Sequence, residues 1–166
     1  MAPPCPLAQA GADRMSTTLT FTDATGAATL TNDWPVPADR FSGWTPTPNP
    51  VGDGVNTLAT GALIFFEQRT DYGASFDLEN IPVKGRTAGT NYVAIAARLI
   101  AHLKRGGTCT VNTGDASSRS YATCGLWPGA SPSLTMTDRK NLLYKLSLQV
   151  LNLAASPVAM DCVYAP

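Results

Sequence analysis

Charge is scarce in this chain: Asp, Glu, Lys and Arg make up 14% of its 166 residues, against roughly 25% in an average soluble domain. Lys plus Arg (12) balance Asp plus Glu (12), so the formal net charge is zero. With no excess of either sign, the basic field that nucleic-acid or anionic-membrane binding needs is missing. So is most of the repulsion that keeps copies of a protein apart. Such a surface suits a chain that ends inside an assembly as well as it suits an ordinary low-charge domain.

The catalytic inventory is nearly as thin. One histidine, His102, lies in a helical pattern whose neighbours at i−4 and i+4 are Arg98 and Gly106, neither of them a ligand, so it reads as a solvated helix histidine. There is no G-x-x-x-x-G-K-[ST], no G-x-G-x-x-G and no G-x-S-x-G, which leaves a nucleotide cradle or a serine-hydrolase elbow without support. Four cysteines are present, but none stands in the CxxC spacing of metal sites. The expectation is a binding or structural protein and not an enzyme, with no cofactor and no metal.

No stretch reaches the ~18 consecutive apolar residues of a membrane-spanning helix. The opening "MAPPCPLAQAGADR" lacks the basic start and apolar run of a signal peptide. Residues 1–14 therefore read as a disordered arm or as a start assigned too early, and residues 15–166 as one domain.

What is present is mostly strand. "STTLTFTD" alternates Thr with Leu19 and Phe21, and "AATLTND" can pair with it across "DATG". "ATGALIFFEQR" and "ASFDLENI" read as a second hairpin turned by "TDYG", with Pro82 ending it. "TCTVN" and "SYATC" form a third, whose symmetric register sets Thr113 against Ser120, Val111 against Ala122 and Cys109 against Cys124. Those two cysteines can bridge, or stand as two buried free thiols in a reducing cytoplasm. "SLTMTD" and the alternating "LLYKLSLQVLNL" complete the set, the last with Tyr144, Leu146, Leu148 and Val150 on its apolar side.

One helix interrupts the strands, at about residues 91–105. Thr90 or Asn91 caps it, Tyr92, Ile95, Ala96, Leu99 and Leu103 share a face, and Gly106-Gly107 supplies the left-handed stop. Strands, one helix, then strands is not the alternating order of a parallel doubly wound fold. It predicts a mainly-β antiparallel sandwich flanked by one helix. Between the first and second hairpins, the segment from Asp33 to Gly54 reads as a long Pro-rich loop carrying Trp34, Phe41 and Trp44. Loops of that length are usually functional or disordered, and three large aromatics argue for docking, on the domain's own flank or on a neighbour, or for an aromatic ligand platform.

Asp77 and Glu79 lie two residues apart on one strand face, a spacing that suits paired acid/base work but equally a solvent face opposite Phe76 and Leu78.

The C-terminal half, with a helix ending in "HLKRGG", the hairpin "TCTVNTGDASSRSYATCGLWPG" and then "PSLTMTDRKNLLYKLSLQVLNLA", resembles tail proteins of long-tailed bacteriophages. The likeness is to the baseplate-proximal distal tail protein and the related tail tube proteins. It covers roughly Leu58 to Tyr164 and rests on element order and texture. It implies a virion protein assembled in the host cytoplasm, a homo-hexameric ring around the DNA channel that contacts neighbouring tube and baseplate proteins. DNA would pass without specific binding, and no membrane is involved. Trp34, Phe41 and Trp44 would then belong to an inter-subunit contact, and Asp77 and Glu79 to a mildly acidic channel lining. Distal tail proteins often carry a second C-terminal domain, which has no counterpart in this sequence. A different class of reading is a monomeric carbohydrate-binding sandwich with Trp34, Trp44 and Trp127 as stacking platforms.

Overall fold

The computed structural model describes residues 18–31, 42–56, 63–84, 89–113 and 119–160. Trp34 and Phe41 lie outside the described residues. The chain forms β1 (Thr18–Asp23), β2 (Gly26–Thr31), β3 (Ser42–Asn56), β4 (Leu63–Pro82), α1 (Tyr92–Lys104), β5 (Cys109–Asn112), β6 (Ser120–Leu126), β7 (Ser133–Asp138) and β8 (Leu143–Asn152). The strands join in one antiparallel sheet in the order β2-β1-β5-β6-β8-β4-β3, with β7 also paired to β8. The expected mainly-β, antiparallel, one-helix architecture is thus the one observed.

Strand β8 is the central element because both of its edges are used. β4 runs along one edge from Pro82↔Leu143 to Gly73↔Leu151. The other edge is shared by β7, opposite residues 143–147, and β6, opposite residues 150–152. Its alternation sends Leu146, Leu148 and Val150 into the core, at 3% exposure or less. The rings of Trp44 on β3 and Tyr121 on β6 approach to 6.5 Å although β4 and β8 lie between those strands. Three steps across a flat sheet span roughly 14 Å, so the sheet is curled around its apolar face.

The first hairpin and the helix lock together. In the turn, Asp23 Oδ1 accepts from the amide (2.8 Å) and hydroxyl (2.6 Å) of Thr25, and Gly26 takes φ +115°, which a side chain would resist. Asn91 caps α1 by accepting from the Ala94 amide (2.9 Å), and Gly106 at φ +83° ends it. Tyr92, Ala96, Leu99 and Leu103 are buried. Arg98 reaches back to the hairpin, where its Nε donates to Asp23 Oδ2 at 3.0 Å and its guanidinium lies 5.7 Å from the Phe21 ring centre.

The Arg98 guanidinium, with the Thr25 hydroxyl and amide, holds the Asp23 carboxyl well below the usual carboxylate range. A depressed folded value means that the pair's contribution is present above the unfolded value of about 3.9 and is lost as the pH falls through the folded one. Asp23→Asn is therefore expected to lower Tm at pH 7. Its deficit should shrink steadily in melts taken from pH 5 down to pH 2, and a pH-independent deficit would contradict this.

Four readings of the sequence change. The stretch from Ser42 onward is a strand and not a loop. Its prolines Pro46, Pro48 and Pro50 fall on alternate residues, opposite Ala74, Tyr72 and Thr70, where the β4 ladder does not need their missing N–H. "TDYG" is not a turn: β4 runs unbroken from Leu63 to Pro82, with Tyr72 and Gly73 paired to Pro48 and Thr47. Cys109 does face Cys124, but a bulge then sets Val111 against Tyr121 and Asn112 against Ser120. Finally, His102 is half-buried and not merely solvated: it packs on Phe21 (ring centres 5.6 Å apart), and its Nε2 lies 3.1 Å from the Thr108 carbonyl oxygen. Gly107 makes that seat available, because a Cβ there would meet the imidazole.

Candidate assembly surface

The longest pair of strands outgrows the sheet. β4 pairs with β8 only between Gly73 and Pro82, while β3 accompanies β4 from Asp77 to Leu63. Among the described residues, residues 63–72 of β4 pair with β3 alone and so form a two-stranded ribbon that continues past the β8 ladder. At ~3.3 Å per residue it is roughly 30 Å long. A two-stranded hairpin alone in water is marginal at best. In sequence, β4 also opens with four consecutive apolar residues, Leu63 to Phe66, the pattern of a strand covered on both sides.

The root of this ribbon is fixed by close packing. Trp44 is 1% exposed, stacks on Phe76 with ring centres 5.0 Å apart, and donates its Nε1–H to the Met160 carbonyl at 2.8 Å. Met160 is itself buried, and Tyr121 and Asn152 bind the carbonyls of Ala159 (3.4 Å) and Val158 (3.2 Å), so the segment after β8 is strapped across the end of the core. On the opposite face, the Trp127 ring lies on Gly73, the last β4 residue paired to β8.

Trp44 is therefore not a contact for a neighbouring subunit. Of the two docking partners open to it, it takes the domain's own core, because its ring packs on Phe76 and faces Tyr121 and the chain's own Met160 carbonyl satisfies its N–H. The same burial removes it from any set of sugar-stacking platforms; Trp127 is half-buried on Gly73. The signal missed in the sequence was the alternation of Trp44 with Pro46, Pro48 and Pro50, which has strand period.

Asp77 and Glu79 share a face as expected, but Lys145 of β8 stands over them, with Nζ 2.8 Å from Asp77 Oδ2 and 3.7 Å from Glu79 Oε1. The hydrogen bond that the Lys145 ammonium donates to the Asp77 carboxylate raises its pKa above the ordinary value. The face thus carries a partly neutralised cluster and not a bare acidic pair. Next to it, the turn after β6 lies across the polar side of β8. The Trp127 amide donates to the Gln149 carbonyl (3.0 Å), which leaves a shallow groove of about 240 Å³ lined by Ser75, Asp77, Ser131, Ser147 and Gln149.

Neither a protein-family model nor a curated protein matches this chain. Function must be argued from its own geometry.

Cys109 and Cys124 are free and buried, and desolvation pushes both thiols up to about 12. Cys124 Sγ lies 3.5 Å from the Tyr121 carbonyl, where the thiol serves the bulge of the β5–β6 pair. Neutral thiols of this kind are poor nucleophiles and poor metal ligands. Among the described residues, no group of three or more His, Cys, Asp or Glu could hold a metal ion, and no helix is long and apolar enough to cross a membrane.

Proposed function

We propose that this protein is a structural subunit of a bacteriophage tail that closes with five further copies into a hexameric ring around the DNA channel, at the position of the distal tail protein. The tail tube is the neighbouring alternative within the same superfamily. The observation that carries the reading is the β3–β4 ribbon, which extends far beyond the sheet that would stabilise it and needs a surface to lie on. Six copies related by rotation give each ribbon such a surface and give each open sheet edge a partner. The low charge and zero net charge fit the same reading, since copies of this chain meet without a long-range barrier.

In that ring, Asp77 and Glu79 with Lys145 supply a weakly acidic lining that does not hold DNA. A reconstruction of the ring with this face outside the lumen removes that assignment. Light scattering on the eluting protein is the primary test. A species near 104 kDa, six times the 17.4 kDa chain, or rings in negative-stain images, is expected. A strict monomer at all concentrations overturns the reading, and a monomer that binds an oligosaccharide replaces it with the carbohydrate-binding one.

A further inference from the structure

The free edge of β3 is not uniform along its length. In an antiparallel strand each residue points its N–H and C=O to the same edge, and successive residues alternate between edges. Pro46, Pro48 and Pro50 have the same parity, and their pairing with β4 is unbroken from Thr45↔Ser75 to Val51↔Arg69. The donors of that ladder can only be the odd-numbered residues between them. The three prolines therefore face outward, and the outer edge of β3 over this stretch carries carbonyl oxygens with no N–H at all. A strand laid against it would find acceptors and no donors, so it cannot be extended there.

Beyond Pro50 the pattern stops. Residues 51–56, "VGDGVN", contain no proline; after a register shift between Val51↔Arg69 and Gly52↔Glu67, whose extra residue Gln68 lies on β4 so that β3 keeps its own alternation, they stay paired with β4 as far as Asn56↔Leu63. The residues that follow the parity of the prolines, Gly52, Gly54 and Asn56, each keep an outward N–H and C=O. β3 is the terminal strand of the sheet among the described residues. Its edge is thus closed along the stem and open at the tip, and the tip is the part that no third strand supports among the described residues.

We propose that this division directs self-assembly: the open tip of β3, Val51–Asn56, pairs as an added strand with a second copy of this chain, and Pro46, Pro48 and Pro50 keep the stem from pairing in its place. The inference rests on the ring reading above and deepens it, because it names the backbone segment that makes the contact. A second copy is the fitting occupant. An uncharged-on-average chain does not repel its like, and a ribbon that is marginal alone gains most from a partner present at its own concentration. Closing the stem also limits growth, since an edge open along its whole length would accept strands in several registers.

Hydrogen–deuterium exchange on the wild-type protein over a concentration series tests this without a variant. The peptide covering residues 51–56 should become protected as the assembly forms, while the peptide covering 45–50 should not. Two variants then test the edge directly. Gly54→Pro with Asn56→Pro removes outward donors at the tip with the natural prolines' parity, and should shift the assembly to monomer with an unchanged far-UV CD spectrum. Pro46→Thr, Pro48→Thr and Pro50→Thr together restore donors to the stem, and should give larger, polydisperse species. A wild-type hexamer whose tip exchanges at the same rate at every concentration, or whose tip-closed variant stays hexameric, overturns this inference and leaves the ring standing. A wild type that is monomeric throughout overturns both.

Discussion

Trp44→Ala is expected to cost about 3–5 kcal/mol, the range for deleting a large buried aromatic. Three losses combine at this one residue. The ring leaves a cavity between β3, β4 and β6, where it stacks on Phe76 and faces Tyr121. The aromatic pairs contribute roughly 0.5–1.5 kcal/mol beyond burial. The Met160 carbonyl loses its donor at a buried position, which costs about 1–3 kcal/mol when nothing replaces it. Domains of this size have only ~5–15 kcal/mol in hand, so the Ala variant can fail to fold. Trp44→Phe keeps most of the ring and deletes only the N–H, and should cost about 1–3 kcal/mol. Urea unfolding of the two variants measures both. A Phe variant as stable as wild type would show that the strap to Met160 contributes nothing.

That residue also shows how far the sequence could be read. Elements whose signals are local were legible: the Thr/apolar alternation of β1, the Asn91 cap and Gly106 stop of α1, the Leu146–Leu148–Val150 face of β8, and the opposition of Cys109 and Cys124. Residues whose meaning depends on a neighbouring strand were not. Proline forbids a central strand but is permitted on an edge, and whether Pro46, Pro48 and Pro50 lie on an edge is decided by which side β4 approaches. The reading of that stretch as a loop, and the open choice for Trp44 between the domain's own flank and a neighbour, followed from the missing tertiary fact. Asp77 and Glu79 were placed on one face correctly, while Lys145, 66 positions beyond Glu79 in the chain, could not be seen to stand over them. The β3–β4 ribbon was half visible: its first strand fell largely inside the Pro-rich segment, but its form, a strand and not a loop, required the register.

"TDYG" posed the same problem in another form, because glycine marks a turn and also marks a place where another group comes too close for a side chain. Gly73 is of the second kind. A Cβ there would run into the backbone carbonyl of Val150 and would meet the Trp127 ring at 2.6 Å. The carbonyl belongs to β8 and is held by the sheet, so it cannot turn aside without opening the β4–β8 ladder at its last pair, Gly73↔Leu151. Gly73→Ala is therefore expected to destabilise the domain by about 1–3 kcal/mol or more, as overpacking does. It should also redden and quench Trp127 emission as that ring is pushed into water. Adding Trp127→Ala removes the flexible obstacle but not the carbonyl, so the double variant should recover only part of the loss; full recovery would identify the ring alone as the wall. Because Gly73 is where the ribbon leaves the sheet, the single variant should also weaken assembly more than its stability loss accounts for. Comparing the oligomer's dissociation midpoint with that of a core variant of equal stability cost separates the two effects. Equal assembly in both would mean that the root of the ribbon has no part in holding copies together.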